Sequence, residues 1–332
     1  MKRVFKATML ATALLMCWAG PTFAQKTLKL NESIGPGSPE DGALLVFKRE
    51  VEERSKGSLK IEIYLQDALG NAQSSFENLM TGSLDLYSGS LEYYQALVPQ
   101  ELSVVSLPYI FKDNEHLRRY LKSPFFQEAE NKLLARGIRF ISTEFNAVRG
   151  PYRVIFSTKP ILKLEDLQGM KVRMNPNEVA IRSWRNFGAV PITTGWNEIY
   201  LALRQGVVQA ATAPLGLLRS SKFTEVAPYV TATYEYPQVW PMAVSERVWK
   251  KLNSNEQKIL VESAKIAGDA YTKITAESAE RDMQWMMDHD NAVFIRINVE
   301  PFRKKMEPFY QELISQGMMS REVYEGVKAL AP

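Results

Sequence analysis

An alternation of strands and helices between residues 166 and 214 constrains the fold of this chain more than any other feature. The predicted elements, in order, are a strand at 170–174, a helix at 178–187, a strand at 189–193 and a helix at 196–205. Strands that alternate with helices form parallel sheets covered by helices. In such sheets, ligands bind in the crevice outside the carboxyl ends of the strands. The segment therefore predicts an α/β fold with a ligand site at this edge.

Two arginines are suited to hold an anion at that edge. Arg173 ends the first strand of the segment, and its planar guanidinium offers paired N–H donors that match a carboxylate. Arg153 lies in an apolar strand predicted at 152–157, where burial of a charge is costly unless an anion meets it. An exposed position on an edge strand would account for Arg153 equally well. Arg173 is therefore predicted as a carboxylate anchor, and both interpretations of Arg153 stay open.

Several segments of the chain together resemble one known family. They are GSLKIEIYLQDALGN from Gly57, MTGSLDLYSGSLEYY from Met80, SLPYIFKDNEHLRRYL from Ser106, GMKVRM from Gly169 and GAVPITTGWNEIYLALRQGVV from Gly188. In order and spacing they resemble the solute receptors of tripartite ATP-independent periplasmic (TRAP) transporters, the DctP-type family. The resemblance covers essentially the whole mature chain. It implies a periplasmic-binding-protein-like α/β fold, with two lobes around a central ligand cleft, hinge strands and a long helix that braces both lobes.

The N-terminus has the pattern of a cleaved secretory signal peptide. Three basic residues precede an apolar run at about 7–19, and Thr22-Phe23-Ala24 follows with small residues at the required positions. The run is too short to span about 30 Å of hydrocarbon. Lipidation would use Cys17, but Met16 precedes it where a small residue is expected. We predict export to the periplasm with cleavage after Ala24.

Composition argues against several classes of function. Cys17 is the only cysteine and leaves with the signal peptide, so no disulfide, thiolate nucleophile or cysteine metal ligand remains. Loss of the three basic residues lowers the formal charge from +4 to +1, and no basic run indicates nucleic-acid binding. The only histidines, His116 and His289, lie far apart on helical surfaces predicted to be exposed, so no metal cluster or Ser-His-Asp arrangement is indicated.

These exclusions predict a binding protein without metal or cofactor. A periplasmic enzyme and a ligand sensor that acts on a signalling partner are the competing classes. The resemblance implies two partners, a small organic acid and the membrane permease subunits, and it implies a monomer.

The chain length of 332 residues suits two domains. The predicted organisation is a signal peptide at 1–24, lobe I at 25–146 completed by about 240–275, lobe II at 147–239 completed by about 276–305, and a C-terminal helical segment at 306–332. Asn146 and Gln238 are predicted at the two hinge crossings. A capping box of Ser254 and Gln257 begins a helix that reaches about residue 288, roughly 50 Å in length.

The resemblance extends the candidate site beyond the arginines. It implies that the second arginine is Arg153, that Trp196 contacts the carbon skeleton of the solute, and that the loop of Ser33 approaches it. Ser90, which follows Gly89, and Asn175 are candidate partners for hydroxyl groups. The candidate ligand-binding residues are Arg173, Arg153, Trp196, Asn175, Ser90, Ser33, Gln238 and Tyr236.

Several of these side chains also admit a structural role. Ser33 fits a connecting loop, Ser90 a tight turn and Trp196 the core, while Tyr236 and Gln238 fit plain hinge packing. The neighbouring tyrosines of the YY pair, Tyr93 and Tyr94, are expected to pack rather than to hold a ligand.

The predicted ligand is a hydroxy or sugar acid, but an aromatic acid, a 2-keto acid or a dicarboxylate would use the same parts. Here the chain departs from the family, since Gln209 stands where an aspartate is common. Ala213 stands where sialic-acid receptors carry an asparagine. A less polar wall near Ala213 is therefore expected, which argues against sialic acid and favours a smaller or less hydroxylated ligand.

Overall fold

A computed structural model of the protein describes residues 25–332; the predicted signal peptide and its cleavage after Ala24 lie outside them. The strands are β1 Lys26–Glu32, β2 Leu59–Tyr64, β3 Leu86–Ser88, β4 Ile138–Phe140, β5 Arg153–Ser157, β6 Lys171–Met174, β7 Val190–Thr193, β8 Ala210–Pro214, β9 Tyr229–Ala232, β10 Met242–Ser245 and β11 Val293–Arg296. The α-helices are α1 Pro39–Arg54, α2 Ala72–Thr81, α3 Asn114–Leu121, α4 Pro124–Ala135, α5 Glu178–Asn186, α6 Ile199–Arg204, α7 Glu246–Trp249, α8 Ser254–Asp290, α9 Glu300–Ser315 and α10 Arg321–Ala329.

Lobe I is built on a five-stranded sheet in the order β2-β1-β3-β10-β4. Strands β1, β2 and β3 are parallel, and β10 pairs antiparallel with both β3 and β4. Helices α1 and α8 cover one face, where Leu44, Phe47 and Leu260 are fully buried. The strands of lobe I thus come from chain segments that precede and follow most of lobe II in the sequence.

Lobe II is built on a six-stranded sheet in the order β11-β9-β5-β8-β6-β7. Strand β6 pairs in parallel with β7 and β8, whereas β5 is antiparallel to its neighbours β8 and β9. The carboxyl ends of β6, β7 and β8 therefore lie at one edge, together with the beginning of β5. Two α/β lobes, as expected from the sequence, are confirmed.

The two crossings between the lobes are hydrogen-bonded to each other. Val148 and Val239 form an isolated antiparallel bridge. The Trp240 N–H donates to the carbonyl of Ala147 at 2.9 Å. Asn146 lies beside this bridge and packs closely on Gly268 of α8. A Cβ atom added to Gly268 would lie only 2.5 Å from the amide oxygen of Asn146. The hinge is thus a short two-stranded ribbon with α8 alongside.

Helix α8 connects both lobes. Its 37 residues give a length of about 55 Å at 1.5 Å per residue. Ala264 packs in the core of lobe I and Met286 in the core of lobe II. The predicted brace is therefore confirmed. The predicted capping box of Ser254 and Gln257 is wrong by one residue, because Asn253 and Glu256 form it.

The C-terminal helices α9 and α10 also contact both lobes. The ring of Phe302 lies 6.5 Å from Tyr109 of lobe I and 5.3 Å from Phe187 of lobe II, centroid to centroid. Helix α10 covers His116, whose Nε2 is 2.7 Å from the carbonyl of Val327 and whose Nδ1 accepts from the Lys112 N–H. The expected exposure of His116 is therefore wrong, since a distant helix buries it.

Among the helices of residues 25–332, none combines the length and the hydropathy that a membrane span requires.

We predict that Phe302→Ala lowers the free energy of unfolding by about 3–5 kcal/mol, because a large buried ring leaves a cavity between the lobes. Leu45→Ala is the control, since Leu45 is 55% exposed and should change it by less than about 0.5 kcal/mol. Chemical denaturation of both variants measures the difference. Equal losses would contradict a close-packed contact at Phe302.

Candidate functional site

A cleft separates the lobes at the strand edge identified above. Its outer part is a cavity of about 590 Å³, and a second cavity of about 20 Å³ lies at its inner end. The outer volume falls within the roughly 300–1,000 Å³ of small-molecule sites. Four residues line both cavities: Tyr93, Arg173, Asn175 and Trp196.

The structure brings all eight candidate residues to this cleft. Ser33 lines the outer cavity, and the other seven line the inner one. Both sheets contribute through strand ends, which is where the sequence predicted a ligand site.

Arg173 is buried, with 6% of its surface exposed, and is held by backbone. Its Nε and Nη2 donate to the carbonyl of Thr194 at 3.0 and 2.7 Å. No carboxylate of residues 25–332 lies within 4.0 Å of its guanidinium nitrogens. Burial, with a contribution from the charge of Arg153, lowers the pKa of Arg173 below its ordinary value. Since an arginine stays protonated in proteins, this charge is buried without a directly contacting carboxylate in the described part of the chain.

Arg153 is buried as well, but its charge is compensated. Its Nε donates to Glu235 at 2.9 Å, its Nη1 to Gln238 at 2.8 Å and its Nη2 to Thr212 at 2.8 Å. The ring of Tyr236 lies 4.5 Å below the guanidinium carbon. Strand β5 is an interior strand, so the alternative of an exposed edge position is wrong.

Arg149 is a buried cleft residue that sequence reasoning missed. Its Nε and Nη2 donate to Glu40 Oε1 at 3.1 and 2.6 Å, and its Nη1 donates to the Ser90 hydroxyl. Ser90 also accepts from Gln238 at 3.1 Å. Ser90 and Gln238 thus link the environments of Arg149 and Arg153 across the hinge. The partners are far apart in sequence, so no local pattern announces them.

The short 3-10 helix Leu91–Ala96 adds two further residues that sequence reasoning missed. Glu92 lines the inner cavity and accepts from the amide of Gln238. Burial raises the pKa of Glu92, and the charges of Arg153 and Arg149 act in the opposite direction. Tyr93 was expected to pack, but it lines both cavities, whereas its neighbour Tyr94 packs on Phe76 and Phe140.

Trp196 lies at the mouth of the inner cavity. The Arg173 guanidinium carbon is 6.0 Å from its ring centroid, and the ring of Phe223 meets it edge-on at 5.3 Å. The next residue, Asn197 of lobe II, donates to Asp67 of lobe I at 3.1 Å. The indole therefore combines partial core packing with exposure to the cleft.

The expected wall at Ala213 is wrong. Ala213 is fully buried in the core of lobe II, whereas its neighbours Thr212 and Pro214 line the inner cavity. Successive side chains of a strand point to opposite faces, so a shift of one residue decides which of them meets the ligand. Thr212 is the polar residue of this strand that faces the cleft.

Within residues 25–332, no group of three or more His, Cys, Asp or Glu side chains is placed to hold a metal ion.

Comparison with known proteins identifies the family to which the chain belongs and confirms its fold. The family model described as bacterial extracellular solute-binding protein, family 7 (DctP) matches residues 30–316. The chain belongs to this family. The TRAP receptor resemblance expected from the sequence is thereby confirmed.

Three relatives of this family 7 receptor illustrate the match. The sialic acid-binding periplasmic protein SiaP of Vibrio cholerae is 28% identical over 316 residues, which cover 95% of this chain and 96% of SiaP. A TRAP periplasmic solute-binding protein of Ochrobacterium anthropi bound to L-fuconate superposes with a TM-score of 0.85 at 27% identity, covering 92% and 99% of the two chains. That of Polaromonas sp. JS666 bound to D-erythronate gives a TM-score of 0.83 at 26% identity, with the same coverage.

As a member of family 7, the chain is a TRAP solute receptor. The family comprises periplasmic solute-binding receptors rather than enzymes, and its members bind small organic acids and work with membrane permease components.

We predict that Glu235→Ala destabilises this receptor by about 3–5 kcal/mol, because removal of one partner leaves the Arg153 charge buried and uncompensated. Glu178→Ala is the matched control. It breaks an ion pair with Arg182 whose glutamate is 56% exposed, and should cost less than about 1 kcal/mol. Chemical denaturation compares the two, and a similar cost for both would contradict a structural role of the buried pair.

Proposed function

We propose that this receptor captures a small organic carboxylate, in particular a hydroxy or sugar acid, between its two lobes and delivers it to the membrane permease. The signal peptide is cleaved after Ala24, and the mature protein acts in the periplasm as a monomer. Arg173 binds the carboxylate of the ligand, and the lobes close over it.

The observation that carries this proposal is the uncompensated charge of Arg173. A buried cation without a counter-ion is costly, and a ligand carboxylate that accepts its N–H groups offsets this cost. The carbonyl of Thr194 holds the guanidinium in place before the ligand arrives. Little conformational entropy is then lost on binding.

The rest of the cleft fits the remainder of a hydroxy acid. Asn175, Tyr93 and Thr212 supply amide and hydroxyl groups beside Arg173, and Trp196 supplies a flat apolar surface for the carbon chain. Ser33 and Asp67 lie at the lobe I side of the outer cavity. A charge-assisted hydrogen bond contributes about 1.5–3 kcal/mol, so a few of them support micromolar affinity near −8 kcal/mol.

The ligands of relatives support the same class. SiaP of Vibrio cholerae is named for sialic acid, and the two solved structures contain L-fuconate and D-erythronate. All three molecules carry one carboxylate and several hydroxyl groups. Aromatic acids, 2-keto acids and dicarboxylates are the alternative ligand classes, and a thermal-shift screen distinguishes them from hydroxy acids.

A thermal-shift screen tests the ligand class. Mature protein is heated with aldonates, uronates, keto acids, aromatic acids and dicarboxylates, and a ligand at 100 times its Kd should stabilise by about 2.7 kcal/mol. We expect hits among aldonates and uronates. Hits confined to another acid class would replace the hydroxy acid, and silence across all carboxylates would refute the proposed function.

We predict that Arg173→Ala weakens binding of the best hit by about 100-fold or more, since two charge-assisted hydrogen bonds are lost. Arg185→Ala is the control, because Arg185 is an exposed arginine of the same lobe. Titration calorimetry gives both affinities. Unchanged affinity in Arg173→Ala would show that the carboxylate binds elsewhere.

A further inference from the structure

The balance of charge in the inner cleft restricts the kind of acid that fits it. Of the three buried arginines in the described part of the chain, Arg149 is paired with Glu40 and Arg153 with Glu235. Only Arg173 lacks a carboxylate partner. One cation is thus left for the ligand, which suits one negative charge.

Glu92 adds an acidic group beside that single cation. Its side chain is 7% exposed and lines the same 20 Å³ cavity as Arg173 and Asn175. Among residues 25–332 it has no basic group within 4.0 Å, and its Oε1 accepts from the amide of Gln238. Gln238 in turn accepts from Arg153 through its amide oxygen, which fixes its orientation. Glu92 thus presents an acceptor to the cavity without a direct ion pair, and the nearby charges of Arg153 and Arg149 favour its ionised form against the effect of burial on its pKa.

A carboxylate accepts hydrogen bonds but donates none. When a ligand is anchored on Arg173, a hydroxyl group that reaches Glu92 can donate to it. A second carboxylate in the same place would face a buried like charge, which disfavours the charged state of both groups. The same side chain thus attracts a hydroxyl group and repels an acid group.

We propose that Glu92 is a specificity residue that makes this receptor select hydroxy monocarboxylates over the matching dicarboxylates. The proposal rests on the proposed function, since it requires a ligand carboxylate on Arg173. It goes further because it assigns the choice between monocarboxylates and dicarboxylates to Glu92, a lobe I residue across the cleft from Arg173.

The test uses pairs of ligands that differ only at one carbon. D-erythronate and meso-tartrate share four carbons and two hydroxyl groups, and a terminal CH2OH in the first is a carboxylate in the second. D-gluconate and D-glucarate form the equivalent six-carbon pair. Titration calorimetry measures both members of each pair on the wild-type protein, on Glu92→Gln and on Glu280→Gln.

For the wild type, in at least one pair, we expect the monocarboxylate to bind at least about 30-fold more tightly than the dicarboxylate. Glu92→Gln removes the charge but keeps an acceptor oxygen for Gln238. It should reduce the preference to about 3-fold or less, mainly through tighter binding of the dicarboxylate. A gain of affinity cannot arise from misfolding.

Glu280→Gln makes the same charge change on the exposed face of α8 and should keep the preference of the wild type. Glu92→Asp keeps the negative charge and should therefore also keep the wild-type preference for the monocarboxylate. This variant makes the test independent of how well Glu92→Gln folds.

Three results would overturn the role of Glu92. The wild type could bind the dicarboxylate as tightly as the monocarboxylate, Glu92→Gln could leave the ratio unchanged, or Glu92→Asp could abolish the preference. In each case the proposed function stands if Arg173→Ala still abolishes binding. If neither acid of either pair binds the wild type and the wider screen is silent, the proposed function fails and this inference fails with it.

Discussion

Three guanidinium groups are buried in one cleft, and their compensation organises the centre of the molecule. Removing an ion from water costs several kcal/mol, which is repaid only by close partners and satisfied hydrogen bonds. Arg149 finds its partner on the first helix of lobe I, and Arg153 finds its partner just after β9 of the lobe II sheet. Arg173 donates to the Thr194 carbonyl, but no carboxylate of residues 25–332 lies in contact with it, so its charge stays uncompensated.

The inner cleft and the hinge share hydrogen bonds. Gln238 belongs to the second crossing segment, yet it contacts Arg153, Ser90 and Glu92 in the inner cleft. The crossing segments are bonded to each other through Val148 and Val239. A ligand that rearranges the inner cleft therefore acts directly on the segments that set the angle between the lobes.

Features that depend on neighbouring residues could be predicted from the sequence, and features that depend on distant ones could not. The strand-helix alternation and the position of Arg173 at a strand end follow from local pattern. Arg149 was missed because Glu40 lies 109 positions away. His116 was misjudged because Val327, which covers it, lies 211 positions away. The error at Ala213 is of another kind, since the face of a strand changes with each residue and local pattern leaves that register open.

The strand order of lobe I has a consequence for synthesis. Strand β10 lies between β3 and β4 and pairs with both. The two strands are therefore not joined in one sheet until the chain has been synthesised to residue 245. By then the chain of lobe II up to β9 already exists. An N-terminal piece that stops after β4 would expose unpaired edges of both strands, which is a template for association with other chains. The sheet of the first lobe can therefore be completed only after most of lobe II has been synthesised.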